Sequence, residues 1–247
     1  MTDPTISFDR MYDRDTVIAQ RRGGYRFSVD ALLLSWFAHE YAPARVTRTL
    51  ELGAGSGVVS ILLKRRGLGG TIDAIERQGS LFSLLTHNVS LNHLDACIFP
   101  TLKDIRMLSD LHERYDLVCF NPPYRAVDSG RTAPDEERAA ARHELFGSLD
   151  DFLLIGGAAL KKKGRLFFVY PVARLAFACL SISLHGLYPR QIVLVSEAPA
   201  DPPTLALFCC VPGDVRRSKL DISLMAMREN DGAESAIASK VLHASSF

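Results

Sequence analysis

The sequence predicts an α/β protein built on a mostly parallel sheet with helices on both faces. Three observations carry that reading. From Val46 onward, short apolar runs of strand length alternate with longer helical patterns. The first strand turns into the first helix of that series through Gly53-Ala-Gly55-Ser-Gly57. The last two strands are joined by only a short segment around Pro199-Ala-Asp-Pro-Pro203, too short for a crossover helix, so they should pair antiparallel.

The elements follow in order. Residues 1–26 carry five arginines (Arg10, Arg14, Arg21, Arg22, Arg26) against four acids. Gly23-Gly24 signals a turn, and Gly24-Tyr25-Arg26-Phe27 reads as a short strand or hairpin arm. Ser28 caps a helix from Val29 to about Tyr41, which Pro43 ends. The strands expected next are Val46–Leu52, Thr71–Glu76, Ala96–Leu102, Tyr115–Phe120, Gly164–Tyr170, Arg190–Val195 and Thr204–Val211. Helices are expected at Val58–Arg66, Ser80–Leu91, Asp104–His112, Leu149–Leu160 and Val172–His185. We divide the chain at residue 45: an N-terminal arm, hairpin and helix packed on the core, then residues 46–247 as the α/β unit with a helical C-terminal tail.

The connection from Arg125 to Ser148 is long for this class of fold. A helix is expected within it from Pro134 to about Leu145. With four arginines and five acids it is not a cationic arm, and a substrate lid is the better reading.

Composition narrows the partners. The formal net charge of +1 exerts no bulk pull on nucleic acid, so a polyanion site must be a local patch. No apolar run approaches the ~18 residues that would cross a bilayer. The charged N-terminus lacks a secretory apolar segment, and a cytoplasmic protein is expected. The five cysteines (Cys97, Cys119, Cys179, Cys209, Cys210) show no CxxC or Cys/His ligand spacing, so reduced thiols are expected, without zinc or disulfides. The seven histidines show no metal-ligand spacing either; His143, in the long connection, is a weak substrate candidate. The basic runs Lys161-Lys162-Lys163 and Arg216-Arg217-Ser-Lys219 read either as phosphate contacts or as solvated charges complementing a helix dipole.

Three motifs carry chemistry. Glycines in Glu51-Leu-Gly-Ala-Gly-Ser-Gly57 let a ligand approach the backbone and leave helix N–H groups to face an acid group. Glu76 closes the second strand about twenty residues beyond those glycines, where an acid accepts from both hydroxyls of a ribose. Asn121-Pro122-Pro123-Tyr124 ends the fourth strand as a stiff turn, because two prolines fix φ and remove two donors. Its amide and carbonyl oxygens suit a flat molecule with an NH2 group, and the Tyr124 ring can stack on the face.

Together these motifs resemble the class I S-adenosylmethionine methyltransferases, from about Val46 to Val211. The resemblance implies a Rossmann-like, seven-stranded, mostly parallel sheet with an antiparallel last strand, and S-adenosyl-L-methionine as cofactor. It implies a cofactor site of Glu51, Gly53, Ala54, Gly55, Gly57, Glu76 and Asn121. By the same resemblance Asp104 bonds the cofactor's adenine amine, although a plain helix N-cap explains it equally well. In the family, NPPY marks methylation of a planar nitrogen: adenine N6, cytosine N4 or glutamine Nε. Asn121 and Pro122 would orient the amine and Tyr124 would stack, giving the catalytic set.

The chain ends are similar to the bacterial tRNA adenine-N6 methyltransferases, through Gly24-Tyr-Arg-Phe-Ser-Val-Asp-Ala-Leu-Leu-Leu34 and the segment from Ser235 to Phe247. That likeness puts Asp30 near the cofactor's methionine end, and Arg21, Arg22 and Arg26 near RNA phosphates. Pro123 and Arg125 would flank the substrate. Lys161-Lys-Lys-Gly164 departs from the Lys-Pro-Gly-Gly common before the fifth strand in such families. Structured RNA, with tRNA foremost, is the expected partner; glutamine methylation of a protein, or a cofactor-binding RNA module without catalysis, are the alternatives.

Overall fold

The computed structural model describes residues 6–11, 13, 15–22, 29–122, 147–213 and 219–243. The chain opens with an antiparallel hairpin, β1 (Ile6–Arg10) and β2 (Val17–Arg21). Helix α1 (Val29–Glu40) follows. Then come β3 (Arg48–Leu52), α2 (Val58–Arg65), β4 (Thr71–Glu76), α3 (Gly79–Leu91) and β5 (Ile98–Leu102). A 3-10 turn, Ile105–Met107, leads to β6 (Tyr115–Phe120). Beyond the long connection lie α4 (Leu149–Ala159), β7 (Leu160–Pro171), α5 (Leu175–Leu184), β8 (Leu187–Ser196), β9 (Leu205–Pro212), β10 (Asp221–Ala226) and α6 (Ala236–Leu242).

Eight strands form the main sheet in the order β10-β8-β9-β7-β6-β3-β4-β5. Every neighbouring pair is parallel except those made by β9, which runs antiparallel to both β7 and β8. The expected antiparallel pair is therefore present, but the expected count of seven is one short. The added strand, β10, joins the edge parallel to β8, and β9 is the antiparallel strand without being the last in sequence.

Two cores sandwich the sheet. On one face α1, α2 and α3 cover Ile72, Leu117, Phe167 and Leu207, with Phe37 and Leu62 fully buried. On the other, α4 and α5 cover Leu52, Val118, Phe168 and Phe208. The rings of Phe152, Phe120, Phe168 and Phe208 pack in series at 5.0, 5.1 and 4.5 Å, the first pair tilted and the other two stacked, from α4 across three strands to β9. This ladder fixes α4, and with it Phe152, against the sheet's carboxyl edge.

Two local expectations change. Asp104–His112 holds one 3-10 turn rather than a helix, because Asp110 and Glu113 adopt φ of 59° and 51°, which no right-handed helix accommodates. Lys161–Lys163 belongs to β7, because Leu160 leaves α4 with extended dihedrals and the strand starts at once. The expected Gly24–Phe27 arm, the Ser28 cap and the helix within 134–145 lie outside the described residues. All five cysteines are free; Cys119, Cys209 and Cys210 are buried, Cys97 and Cys179 partly so. Among the described residues no helix is long and apolar enough to cross a membrane, and no three His, Cys, Asp or Glu side chains cluster as metal ligands.

Candidate active site

A cleft of about 730 Å³ opens at the carboxyl edge of β3, β4 and β6. Its formation follows from the parallel topology, since the strand-to-helix turns of β3 and β4 lead away in one direction there. Of the residues singled out from the sequence, it gathers Arg21, Asp30, Glu51, Gly53, Ala54, Gly55, Glu76, Asp104, Asn121 and Pro122. Gly57 and Arg22 do not line it. Arg26, Pro123, Tyr124 and Arg125 lie outside the described residues.

The glycine loop is built for close approach. Gly53 and Gly55 adopt φ of 68° and 58°, and a side chain added at Gly55 would point into open space. Gly57, instead of lining the cleft, caps α2 in the left-handed region at φ 87° and offers its helix no side-chain cap. A Cβ there would stand 2.5 Å from Leu85 Cδ1. The α2 N-terminus thus faces the cleft through Val58 and Val59, with its dipole directed where it would favour an acid group.

Glu51, Glu76 and Asp104 are among the acids that line the cleft. Glu76, at the end of β4, accepts from the Gly55 N–H at 2.8 Å through Oε2. Its Oε1 accepts from the Arg77 and Gln78 N–H groups at 2.8 and 2.6 Å. Three of about four acceptor sites are used, which fixes the carboxylate plane at the cleft wall. Glu51 is buried near the end of β3, its Oε2 taking the Ser60 N–H at 3.0 Å and the Ser60 hydroxyl. Burial pushes its carboxyl up to about 7 against the opposing pull of Ser60. Asp104 caps the 3-10 turn by accepting from the Arg106 N–H at 3.0 Å. Arg106 also grips both its oxygens, at 3.0 and 2.7 Å, with Arg77 at 3.4 Å. That side-chain bond from Arg106 holds the Asp104 carboxyl down at about 2.

Sequence reasoning missed Ser56, Ser60, Arg77 and Phe152, whose ring would stand 3.3 Å from a Cβ on Gly53. Ser60 was findable, since a hydroxyl nine residues past Glu51 and one turn into α2 faces back toward the strand. Phe152 comes from across the long connection and left no local signal.

The donor set fits an adenosyl amino acid. A fixed acid ends the second strand of the parallel series, a helix start faces the loop, and a buried carboxyl stands beside them. Comparison with known proteins agrees. A family profile described as methyltransferase small domain matches residues 29–174. A Bacteroides fragilis protein named tRNA1(Val) (adenine(37)-N6)-methyltransferase is 28% identical over 211 residues, 83% of this chain and 86% of that protein. A Porphyromonas gingivalis protein of the same name is 27% identical over 76% of this chain and 75% of its own length. Among solved structures, a predicted O-methyltransferase from Agrobacterium tumefaciens superposes with a TM-score of 0.66 at 19% identity, over 86% of this chain and 94% of that one. M. jannaschii TYW2, solved with AdoMet, gives 0.55 at 14% identity over 85% and 87%. Both are likenesses of fold. With the profile spanning more than half of its length, the chain belongs to the methyltransferase small domain family and is an S-adenosylmethionine-dependent methyltransferase.

Proposed function

We propose that this enzyme methylates the exocyclic N6 amine of an adenine in structured RNA, a tRNA near its anticodon, in the cytoplasm. The observation that supports this most is the sharing of one cleft by Asn121, Pro122 and the glycine loop. The tRNA adenine-N6 name carried by relatives at 27–28% identity points the same way.

The adenine amine is a poor nucleophile because its lone pair is delocalised into the ring. Asn121 Oδ1 and the Pro122 carbonyl each accept one amine hydrogen, which concentrates electron density on nitrogen and aims its free lobe into the cleft. S-adenosylmethionine, when bound, supplies an electrophilic sulfonium methyl. No strong base is required, since the methylated ammonium is far more acidic than the parent amine. Glu76 holds the ribose hydroxyls, and Glu51 and Asp30 face the methionine end. Tyr124 stacks on the base once it has left any helical stack. Arg21 and Arg22, with Arg26 and Arg125, contact phosphates, which makes binding salt-dependent.

Nucleoside mass spectrometry of tRNA from cells lacking this protein tests the reading: one N6-methyladenosine signal should vanish and return with the gene. No change in any tRNA, with label transferred instead to a release factor, would move the substrate to glutamine. Asn121→Ala should lower turnover by roughly a thousandfold while S-adenosylhomocysteine affinity stays within about twofold. Equal loss of both would remove Asn121 from its role.

A further inference from the structure

Two buried asparagines on α3 hold the N-terminal hairpin as if they were a neighbouring strand. Asn92 accepts from the Val17 N–H at 3.2 Å and donates to the Val17 carbonyl at 2.7 Å. One helical turn earlier, Asn88 accepts from the Ala19 N–H at 2.8 Å and donates to the Ala19 carbonyl at 3.1 Å. Residues 17 and 19 present their backbone groups on the same edge of β2, opposite the edge paired with β1. The two side-chain amides therefore supply the ladder that a third strand would have supplied. Both are almost fully buried, at 0% and 2% exposure, so these bonds are shielded from competing water.

Each amide makes a third bond: that of Asn92 stays on the helix, to the Asn88 carbonyl at 2.8 Å, while that of Asn88 leaves it. Asn88 Nδ2 also donates to the Ser56 carbonyl at 2.9 Å, inside the glycine loop. One amide thus ties Ala19 to Ser56, two segments that share no strand. Ser56 lines the cleft, and so does Arg21, two residues beyond Ala19. Any shift of the loop carbonyl must move the Asn88 amide, and the amide must move β2.

We propose that Asn88 is a positioning residue coupling the N-terminal hairpin to the cofactor loop. Ordering the loop around the cofactor orders β2 and sets Arg21 at the cleft mouth for a phosphate of the substrate. The coupling is reciprocal, so substrate held by Arg21 tightens the cofactor loop. The phosphate half of this inference rests on the RNA reading above; the link from loop to hairpin does not.

Amide hydrogen exchange on the unaltered protein tests the link. Saturating S-adenosylhomocysteine should slow exchange of the Ala19 amide by about fivefold or more, although Ala19 does not line the cleft. Unchanged exchange there would overturn the proposal. Two variants then separate the arms. Asn92→Ala removes both Val17 bonds and the donation to the Asn88 carbonyl but keeps the Asn88 links to Ala19 and Ser56; it should raise KM for tRNA several-fold and weaken S-adenosylhomocysteine binding less than Asn88→Asp does. Asn88→Asp keeps the acceptor for Ala19 but sets a carboxylate oxygen against two carbonyls, and should weaken cofactor and tRNA binding together. Both variants lowering both parameters in proportion to lost thermal stability would mean a merely structural amide. If the unaltered protein methylates no RNA, the substrate reading fails, while the exchange result still decides the coupling.

Discussion

The two edges of the parallel sheet use acids in opposite ways. At the amino edge, Asp116 takes the Lys161 ammonium at 2.7 Å, the Thr47 hydroxyl at 2.6 Å and the Thr47 and Arg48 N–H groups at 2.9 and 3.1 Å. Burial works to raise its pKa, but Lys161 and Thr47 outweigh it and hold the carboxyl at about 2. Beside it, Asp73 pairs with Arg48 at 2.9 Å and accepts from the Tyr115 hydroxyl at 2.8 Å. At the carboxyl edge, the bonds to Glu51 and Glu76 come from neutral N–H and O–H donors. Where the fold has only to hold, carboxylates are matched with cations. Where the cleft opens, they are oriented by neutral donors, which under the proposed function leaves them to meet the ligand's ammonium and hydroxyls. Asp104, gripped by Arg106, is the carboxyl-edge acid built in the manner of the amino edge. An adenine amine would have to share its oxygens with two arginines.

The contrast can be broken from either side. Gly57→Ala combines a left-handed φ with a clash on Leu85 and should weaken S-adenosylhomocysteine binding by about 10–100-fold; calorimetry showing less than a twofold change would mean the loop yields freely. Asp116→Ala strands a partly buried lysine and should cost about 2 kcal/mol in denaturant unfolding, with cofactor affinity untouched. A parallel drop in affinity would show that the two edges are not independent.

Glu51 gives a smaller, pH-dependent effect. Its folded pKa of about 7 lies above the ordinary 4.5, so its stabilising contribution is full below about 4.5 and is lost as pH rises through 7. Under the role proposed for Glu51, cofactor binding runs the other way, because a carboxylate suits the ligand's ammonium better than a neutral acid. S-adenosylhomocysteine affinity should rise by up to about tenfold per pH unit from 6 to 7 and then level off, and Glu51→Gln should flatten that profile. A flat profile in the unaltered protein would detach Glu51 from the ligand. Smallest is Lys162→Ala with Lys163→Ala: both sit at the start of β7, on the amino edge, so tRNA affinity should change by less than about twofold. A reduced salt slope in filter binding would instead extend the RNA footprint to that edge.

Much of this was legible in the sequence because the signals are local. Thr71–Glu76 and Tyr115–Phe120 are bounded by turn residues and coincide with β4 and β6. The glycines, Glu76 and Asn121 converge because parallel topology carries every strand's carboxyl end to one edge. A hairpin was expected before residue 45, but its strands at Ile6–Arg10 and Val17–Arg21 were not legible: Asp9, Arg10 and Asp13 hide the alternation of Ile6 and Phe8, and half of β2's ladder comes from asparagines about seventy residues away. For β10 the period-two signal in Ile222, Leu224 and Ala226 was present, and it defines the eighth strand. Lys161–Lys163 was read as a helix end because a helix rarely hands over to a strand without a turn, which Leu160 does.

The free thiols divide the molecule by depth. Cys119 lies on β6, and Cys209 and Cys210 on β9, flanking β7 in mid-sheet. Burial pushes the Cys209 thiol up to about 12 and those of Cys119 and Cys210 higher than normal, so little thiolate exists to react. An alkylating reagent at neutral pH should therefore add to Cys97 and Cys179 first, and to the other three only when the middle of the sheet parts. The native chain carries its own clock for that event: two early mass steps, then three arriving together, read on the intact protein without any introduced label.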